Sequence, residues 1–225
     1  MHIGILGGTG PAGSALALRL AASGHQVTIG SRAAERAAEV AAGLVERWPD
    51  RELSLTGAAN ADAAGAEVVV VATPWDAAEP TVAGLAAQLR GTVVISMANA
   101  LTRIGKEFQP LVGPRGSVAA GVAAAAPESL VVAAFQHLPA KELGDLDRPL
   151  VADVLLCSDH RAALDVVTGL VEGIGGLRAL EAGGLAQASA VESFTAVLLQ
   201  LNVRYKTRAT LRLAGIPDRS EEPGA

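Results

Sequence analysis

A doubly wound, mostly parallel α/β sheet is the fold this sequence predicts, and three observations predict it. Short β-branched runs alternate with Ala/Leu-rich amphipathic stretches through residues 1–181. Two of those runs, Glu67–Ala72 with four consecutive valines and Thr92–Ser96, show no polar alternation, as strands covered on both faces require. The glycine-rich segment Gly7–Gly13 stands directly between the first strand-like run and the first helix-like one.

The elements follow in order. Ile3–Leu6 reads as a strand and Ala12–Ala22 as a helix that stops at Gly24. Val27–Gly30 and Ala33–Trp48 repeat the pattern, with Pro49 ending the second helix. A third short strand is expected near Leu53–Thr56, and the two apolar runs come next, each after a helical stretch. Leu130–Phe135 and Val151–Cys157 are further strands, His160–Glu172 a helix, and Leu177–Leu180 the last strand. From Leu185 to Leu213 the pattern is purely helical, with room for one break, until Gly215-Ile216-Pro217 stops it. Arg219–Ala225 reads as a polar, frayed tail. Two parts are expected, a sheet domain over 1–181 and a helical segment over 182–225.

Composition narrows the function. The 225 residues are 50% hydrophobic and 18% charged, enough to bury a large core. No uninterrupted apolar run reaches the roughly 18 residues of a membrane span. A strand beginning two residues from Met1 leaves no room for a signal peptide. Cys157 is the only cysteine, which predicts a reducing, cytoplasmic setting, and no Cys/His cluster suggests a metal. A net charge of −5 and 3% aromatics argue against a nucleic-acid partner. The apolar last helix predicts a homodimer.

Gly8, Gly10 and Gly13 give the Gly-x-Gly-x-x-Gly spacing of a dinucleotide-binding turn in a Rossmann-type sheet. Gly8 allows the tight turn, Gly10 lets the backbone approach a pyrophosphate, and Gly13 lets helix and strand pack closely. The free N–H groups opening the helix, around Thr9, Pro11 and Ala12, meet the phosphate charge. Pro11 suits a first helical turn because it has no N–H to lose there. An NAD-selective site places an acid at the end of the second strand; this chain has Gly30-Ser31-Arg32 instead, with Arg36 four residues on. Guanidinium groups match a 2′-phosphate, so NADP(H) is expected, unless Arg32 and Arg36 only form a solvated helix start.

Ligands of such sheets lie beyond the carboxyl ends of the strands, here Thr73–Ala77, Ser96–Asn99 and Gln136–Ala140. Thr73, Ala77, Asn99, His137, Leu138 and Ala140 are therefore candidate cofactor contacts. Thr73 and Asp76 could equally be helix caps, and His137 could equally make a structural hydrogen bond. Ser193 and Thr195 are polar positions inside an apolar helix, either facing a ligand or bonding back to the preceding turn. Glu192 reads as a solvated or interfacial charge, and Cys157 as core.

The chain resembles, nearly end to end, the NADPH-dependent oxidoreductases of the deazaflavin coenzyme F420. The resemblance rests on Gly7-Gly8-Thr9-Gly10, Gly30-Ser31-Arg32, Thr73-Pro74-Trp75, Leu138-Pro139-Ala140, Gly173-Ile174-Gly175-Gly176-Leu177-Arg178 and Val191-Glu192-Ser193-Phe194-Thr195. It implies hydride transfer between NADP(H) and F420 in an apolar cleft between the sheet domain and the helical part. It further implies that Thr9, Ser31, Arg32 and Arg36 hold the NADP phosphates, and that Leu138, Ser193 and Thr195 lie where the two rings meet. Relatives often carry a histidine where this chain has Gln136, so no role of such a histidine transfers to that position. Chemistry of this kind needs apposed rings rather than a catalytic side chain. Two other readings keep the NADP site: reduction of a small imine or carbonyl, which would need a general acid, or a non-catalytic redox sensor. Arg204, Lys206, Arg208 and Arg212 form the richest basic stretch; on a continuous helix the arginines would share one face and could meet the acidic tail of F420.

Overall fold

In the computed structural model, which describes residues 1–217, strand and helix alternate from the first residues onward. The expected polar tail Arg219–Ala225 lies outside the described residues. The first half comprises β1 (His2–Leu6), α1 (Pro11–Ala22), β2 (Gln26–Ser31), α2 (Ala34–Arg47), β3 (Leu55–Ala59), α3 (Asn60–Ala63), β4 (Val68–Val71), α4 (Trp75–Ala83) and β5 (Val93–Ser96). A hairpin of β6 (Leu101–Ile104) and β7 (Glu107–Pro110) interrupts the alternation. It is followed by α5 (Val118–Ala125), β8 (Leu130–Ala133), α6 (Ala140–Leu143), β9 (Ala152–Cys157), α7 (Arg161–Glu172) and β10 (Leu177–Gly183). A short 3-10 turn over Leu185–Gln187 leads into α8 (Ala188–Tyr205).

The strands form one eight-stranded sheet in the order β10-β9-β8-β5-β4-β1-β2-β3. Six of them, from β8 to β3, run parallel. Alternate residues of the apolar runs serve opposite faces: Ile3, Ile5, Val68 and Val70 pack with α1 and α7, while Leu6, Val69 and Val71 pack with α4 and α5. Both faces are thus covered, which is why these runs lack polar residues. Gly13 is needed where α1 crosses the sheet, since a Cβ there would lie 2.8 Å from the Gly8 Cα and 3.0 Å from the Ala72 Cβ.

The seam between β8 and β9 is different. β9 and β10 pair with each other in parallel, but β9 meets β8 antiparallel and in a single pair, Ala133 with Cys157. Two side chains bridge what the ladder leaves open. The His137 Nε2–H donates to the Asp153 carbonyl of β9 at 2.8 Å, and Ser158 Oγ donates to the Val131 carbonyl of β8 at 2.6 Å.

The helical expectation for 185–213 needs correcting. The helix ends at Tyr205, and Lys206 takes a left-handed conformation (φ 50°) as its cap. Residues 206–217 form an irregular strap running back along β9. Buried Asp153 anchors it, accepting from Arg178 Nε and NH2 at 2.8 Å, from Arg212 NH1 at 3.2 Å and from the Leu213 N–H at 2.6 Å. Arg178 donates onward to the carbonyls of Leu213 and Ile216. Arg204, Arg208 and Arg212 therefore do not share a helix face. Arg212 is drawn toward a buried carboxylate that lies far away in sequence.

Candidate functional site

The carboxyl ends of five adjacent strands, β2, β1, β4, β5 and β8, carry most of the expected site residues. The turn after β1 begins with Gly7 in the left-handed region (φ 66°), and the Gly8 N–H donates to the carbonyls of Ile5 and Gly30. Gly8 is therefore an interior hinge of the turn. Thr9, Gly10, Pro11, Ala12 and Gly13 instead line a cleft of about 770 Å³, together with Ser31, Arg32, Thr73 and Ala77. No side chain caps the start of α1, whose first N–H groups open toward this cleft. A Cβ on Gly10 would meet nothing nearer than the Gly7 carbonyl oxygen at 4.0 Å, so that space is free for a ligand.

Side chains around the cleft fit a phosphorylated dinucleotide. Thr73 is not a helix cap: Pro74 holds that position, and the Thr73 hydroxyl is buried beside the cleft without a partner among the described residues. Arg32 makes no ion pair among the described residues. Ser31 accepts from the Ala33 N–H at 3.3 Å, which fixes the turn that presents Arg32. Arg36 behaves differently. Its guanidinium is turned to Glu39 at 3.1 Å on the outer face of α2 and does not line the cleft. Asn60 is a residue sequence reading missed: its Oδ1 accepts from the Gly7 N–H at 3.1 Å, and it lines the cleft.

Farther along the same edge, beyond β5 and β8, lies a second crevice of about 590 Å³. Asn99, Leu138, Ala140 and Thr195 all line it, so α8 provides the wall opposite the sheet. Asn99 ties the walls together, donating to the Gln136 carbonyl at 2.6 Å and accepting from Thr195 Oγ1 at 3.3 Å. Ser193 is not there. Two residues apart on a helix, Ser193 and Thr195 point to different sides, and Ser193 faces a separate depression with Phe108, Phe194 and Val197.

His137 is also turned from the crevice. Its ring is buried, one nitrogen is bonded to β9, and burial pushes its pKa below the ordinary value despite the nearby Asp153. Nε2 takes the structural hydrogen bond, while Nδ1 is buried with no partner among the described residues. Gln136, its neighbour, lines the crevice instead: it is 5% exposed, and neither its amide nitrogen nor its amide oxygen has a partner among the described residues. The fully buried Phe135 before it has φ 66°, a costly conformation for a bulky residue that sets the direction of this loop.

Two further expectations are settled by burial. Glu192 is not a solvated charge: it is buried, and its carboxylate accepts from the Val118 and Ala119 N–H groups at 2.8 and 3.0 Å, capping α5. Burial raises its pKa, opposed by those two hydrogen bonds. Cys157 is fully buried, with its thiol pushed up to about 11 by burial and by Glu192, as suits a core residue.

The family described as NADP oxidoreductase, coenzyme F420-dependent, matches residues 2–100. Over the whole length, the chain is 38% identical to the F420-dependent NADP reductase of Methanothermobacter thermautotrophicus, covering 97% of each chain. It is 40% identical to the protein of the same name from Methanocaldococcus jannaschii, covering 93% of this chain and 96% of that one. A crystal structure from Arthrobacter sp. FB24, assigned to the F420-dependent NADP reductases, superposes with a TM-score of 0.77 at 27% identity, covering 94% of this chain and 98% of that one.

Proposed function

The chain belongs to the family of the F420-dependent NADP reductases, and from that premise we propose that it transfers hydride between NADP(H) and coenzyme F420. One observation carries this reading: the dinucleotide cleft and the crevice follow each other along the ends of β2, β1, β4, β5 and β8. Four inter-strand steps of about 4.8 Å make this edge roughly 19 Å long, room for an extended dinucleotide with a second ring system at its far end.

Hydride transfer itself is chemistry the two cofactors supply. Arg32 recognises the 2′-phosphate, while the Gly7–Gly13 turn and the start of α1 hold the pyrophosphate. Thr73 and Ala77 flank its path, and the Asn99 loop receives the nicotinamide end. Leu138 and Ala140 from the sheet side and Thr195 from α8 set the width of the crevice, so their volumes fix the distance between the rings. No protonatable side chain is required, and the neutral, inward-turned His137 agrees with that. The division into 1–181 and 182–225 belongs to the same reading, with α8 supplying the far wall, although β10 runs across the boundary to Gly183 and residues 206–217 return to the sheet.

A second copy of this chain completes the reading. Val197, Leu201 and Tyr205 repeat every four residues on α8 and are 49%, 37% and 67% exposed, an apolar stripe suited to a homodimer contact. Ser193 and Phe194 lie beside it. Among the described residues no helix is long and apolar enough to cross a membrane. A single buried thiol suits the cytoplasm.

The test is single-turnover reduction of F420 by NADPH, followed by deazaflavin absorbance across a pH series, with wild type and Leu138→Ala. We expect slower transfer in the variant with an unchanged pH profile. Failure of wild type to reduce F420 refutes the reading.

A further inference from the structure

The crevice has an apolar and amide-lined inner end and a charged mouth. Inside are Leu138, Leu199 and the amide of Gln136, a buried polar group with no protein partner among the described residues. At the mouth stand Lys141, Lys206 and Arg208 against one carboxylate, Glu142. Three cations around one anion is a local excess in a chain whose net charge is −5.

The backbone that carries the cations is held in place. Asn202 clamps the backbone on both sides of Arg208, its carbonyl accepting from the Thr207 N–H at 3.2 Å and its Oδ1 from the Ala209 N–H at 2.5 Å. The strap behind them is fixed to Asp153 and Arg178. Across the mouth, Arg208 Nε meets Glu142 Oε1 at 3.3 Å, while Glu142 Oε2 is buried with no partner among the described residues. α6, which bears Lys141 and Glu142, is itself pinned by Arg19, whose guanidinium donates to the carbonyls of Glu142, Leu143 and Arg148. Such a half-exposed pair with one unsatisfied oxygen is weak and easily exchanged for a better anion. A phosphate offers a guanidinium two parallel hydrogen bonds.

We propose that the mouth is an anion subsite. Lys141, Lys206 and Arg208 take the phosphodiester and carboxylate chain of the deazaflavin co-substrate, and Glu142 is the placeholder that Arg208 gives up when the phosphate arrives. This rests on the F420 reading above. It departs from the basic helix face expected of the sequence, because Arg204 and Arg212 have no part in it.

The experiment compares F420 with the deazaflavin riboflavin analogue that lacks the phosphodiester and glutamates. For Lys206→Ala/Arg208→Ala, KM for F420 rises at least tenfold, while KM for the truncated analogue, KM for NADPH and kcat stay within twofold. Glu142→Gln acts in the opposite direction, lowering KM for F420 two- to threefold without affecting the analogue. Raising salt weakens F420 binding in wild type and much less in the double variant. Equal changes for both deazaflavins overturn the subsite, and so does a rise in the NADPH KM alone, which would assign the cations to the dinucleotide. Binding followed by deazaflavin fluorescence, without NADPH, separates the two proposals. Wild type that prefers F420 to the analogue but transfers no hydride keeps the subsite and refutes the reaction. Wild type that reduces both yet binds them equally well keeps the reaction and refutes the subsite.

Discussion

Two arginines that look equivalent in the sequence should differ sharply in function. Arg32 lines the dinucleotide cleft without an ion-pair partner among the described residues, whereas Arg36 is paired with Glu39 on an exposed helix face. A charge-assisted hydrogen bond to a phosphate contributes about 1.5–3 kcal/mol, and solvent around the exposed Arg32 favours the lower part of that range. About 1.5–2 kcal/mol corresponds to a rise of roughly 10- to 30-fold in the NADPH KM for Arg32→Ala. Arg36→Ala removes an exposed pair worth about 0.5 kcal/mol or less, a twofold change at most. The assay is steady-state kinetics with NADPH and NADH at fixed ionic strength, since the NADH value should be nearly the same in all three proteins. Equal losses for both cofactors in Arg32→Ala would show that this residue does not read the 2′-phosphate. A loss in Arg36→Ala matching that of Arg32→Ala would show that the Glu39 pair opens to bind the dinucleotide.

The remaining expectations concern the interior. His137→Asn should lower the melting temperature, because the Asp153 carbonyl loses its donor, while hydride transfer falls by less than the roughly 10²-fold of a lost general acid. Stability should fall with acid in two stages. His137, with its folded pKa below the ordinary value of about 6.5, begins to withdraw stability as the pH drops past that point. For Asp153, burial alone would raise the pKa, but Arg178, the Leu213 N–H and Arg212 hold it below the usual carboxylate value, so its contribution is lost below about pH 3.9. Denaturant titrations of wild type and His137→Asn across pH would resolve the first stage, which should be smaller in the variant but not absent, because burial also lowers the pKa of His25. Asp153→Asn should cost about 3–5 kcal/mol, because it strands Arg178 beside an uncharged partner. Cys157 should resist thiol reagents in the native protein at pH 8 and react only with the rate of unfolding; rapid labelling would contradict its burial.

What the sequence made visible was local. The Gly8–Gly13 turn could be read because strand, turn and helix are contiguous and each glycine has a steric reason. The β6–β7 hairpin was missed although its signal is present: Ile104 pairs with Glu107 around Gly105-Lys106, and Gly105 has φ 62°. Ser193 could have been separated from Thr195 by helix geometry alone. Other features could not be seen. Lys206 ends α8 without a glycine, and Arg212 leaves the helical pattern for a carboxylate 59 residues away. Whether Arg36 faces a ligand or Glu39, and whether Gln136 or His137 lines the crevice, depends on side-chain direction after long-range packing. No periodicity encodes that.

The seam between β8 and β9 has a consequence for how the molecule comes apart. Neighbouring strands elsewhere in the sheet are joined by several ladder pairs, but here the hydrogen bonds between the strands come down to one pair and two side-chain bonds, with α7 packed across the seam. Cooperative units of a protein tend to divide where such connections are fewest. Amide exchange should therefore report two blocks: slow exchange through β1, β4, β5 and β8, and earlier, collective opening of β9, β10 and the strap anchored to them. Because Leu138 and Gln136 lie on one side of that division and Lys206 and Arg208 on the other, a molecule bound in the crevice would span it. Deazaflavin binding should then slow exchange in β9 and β10 at amides the ligand never touches, joining two folding units into one.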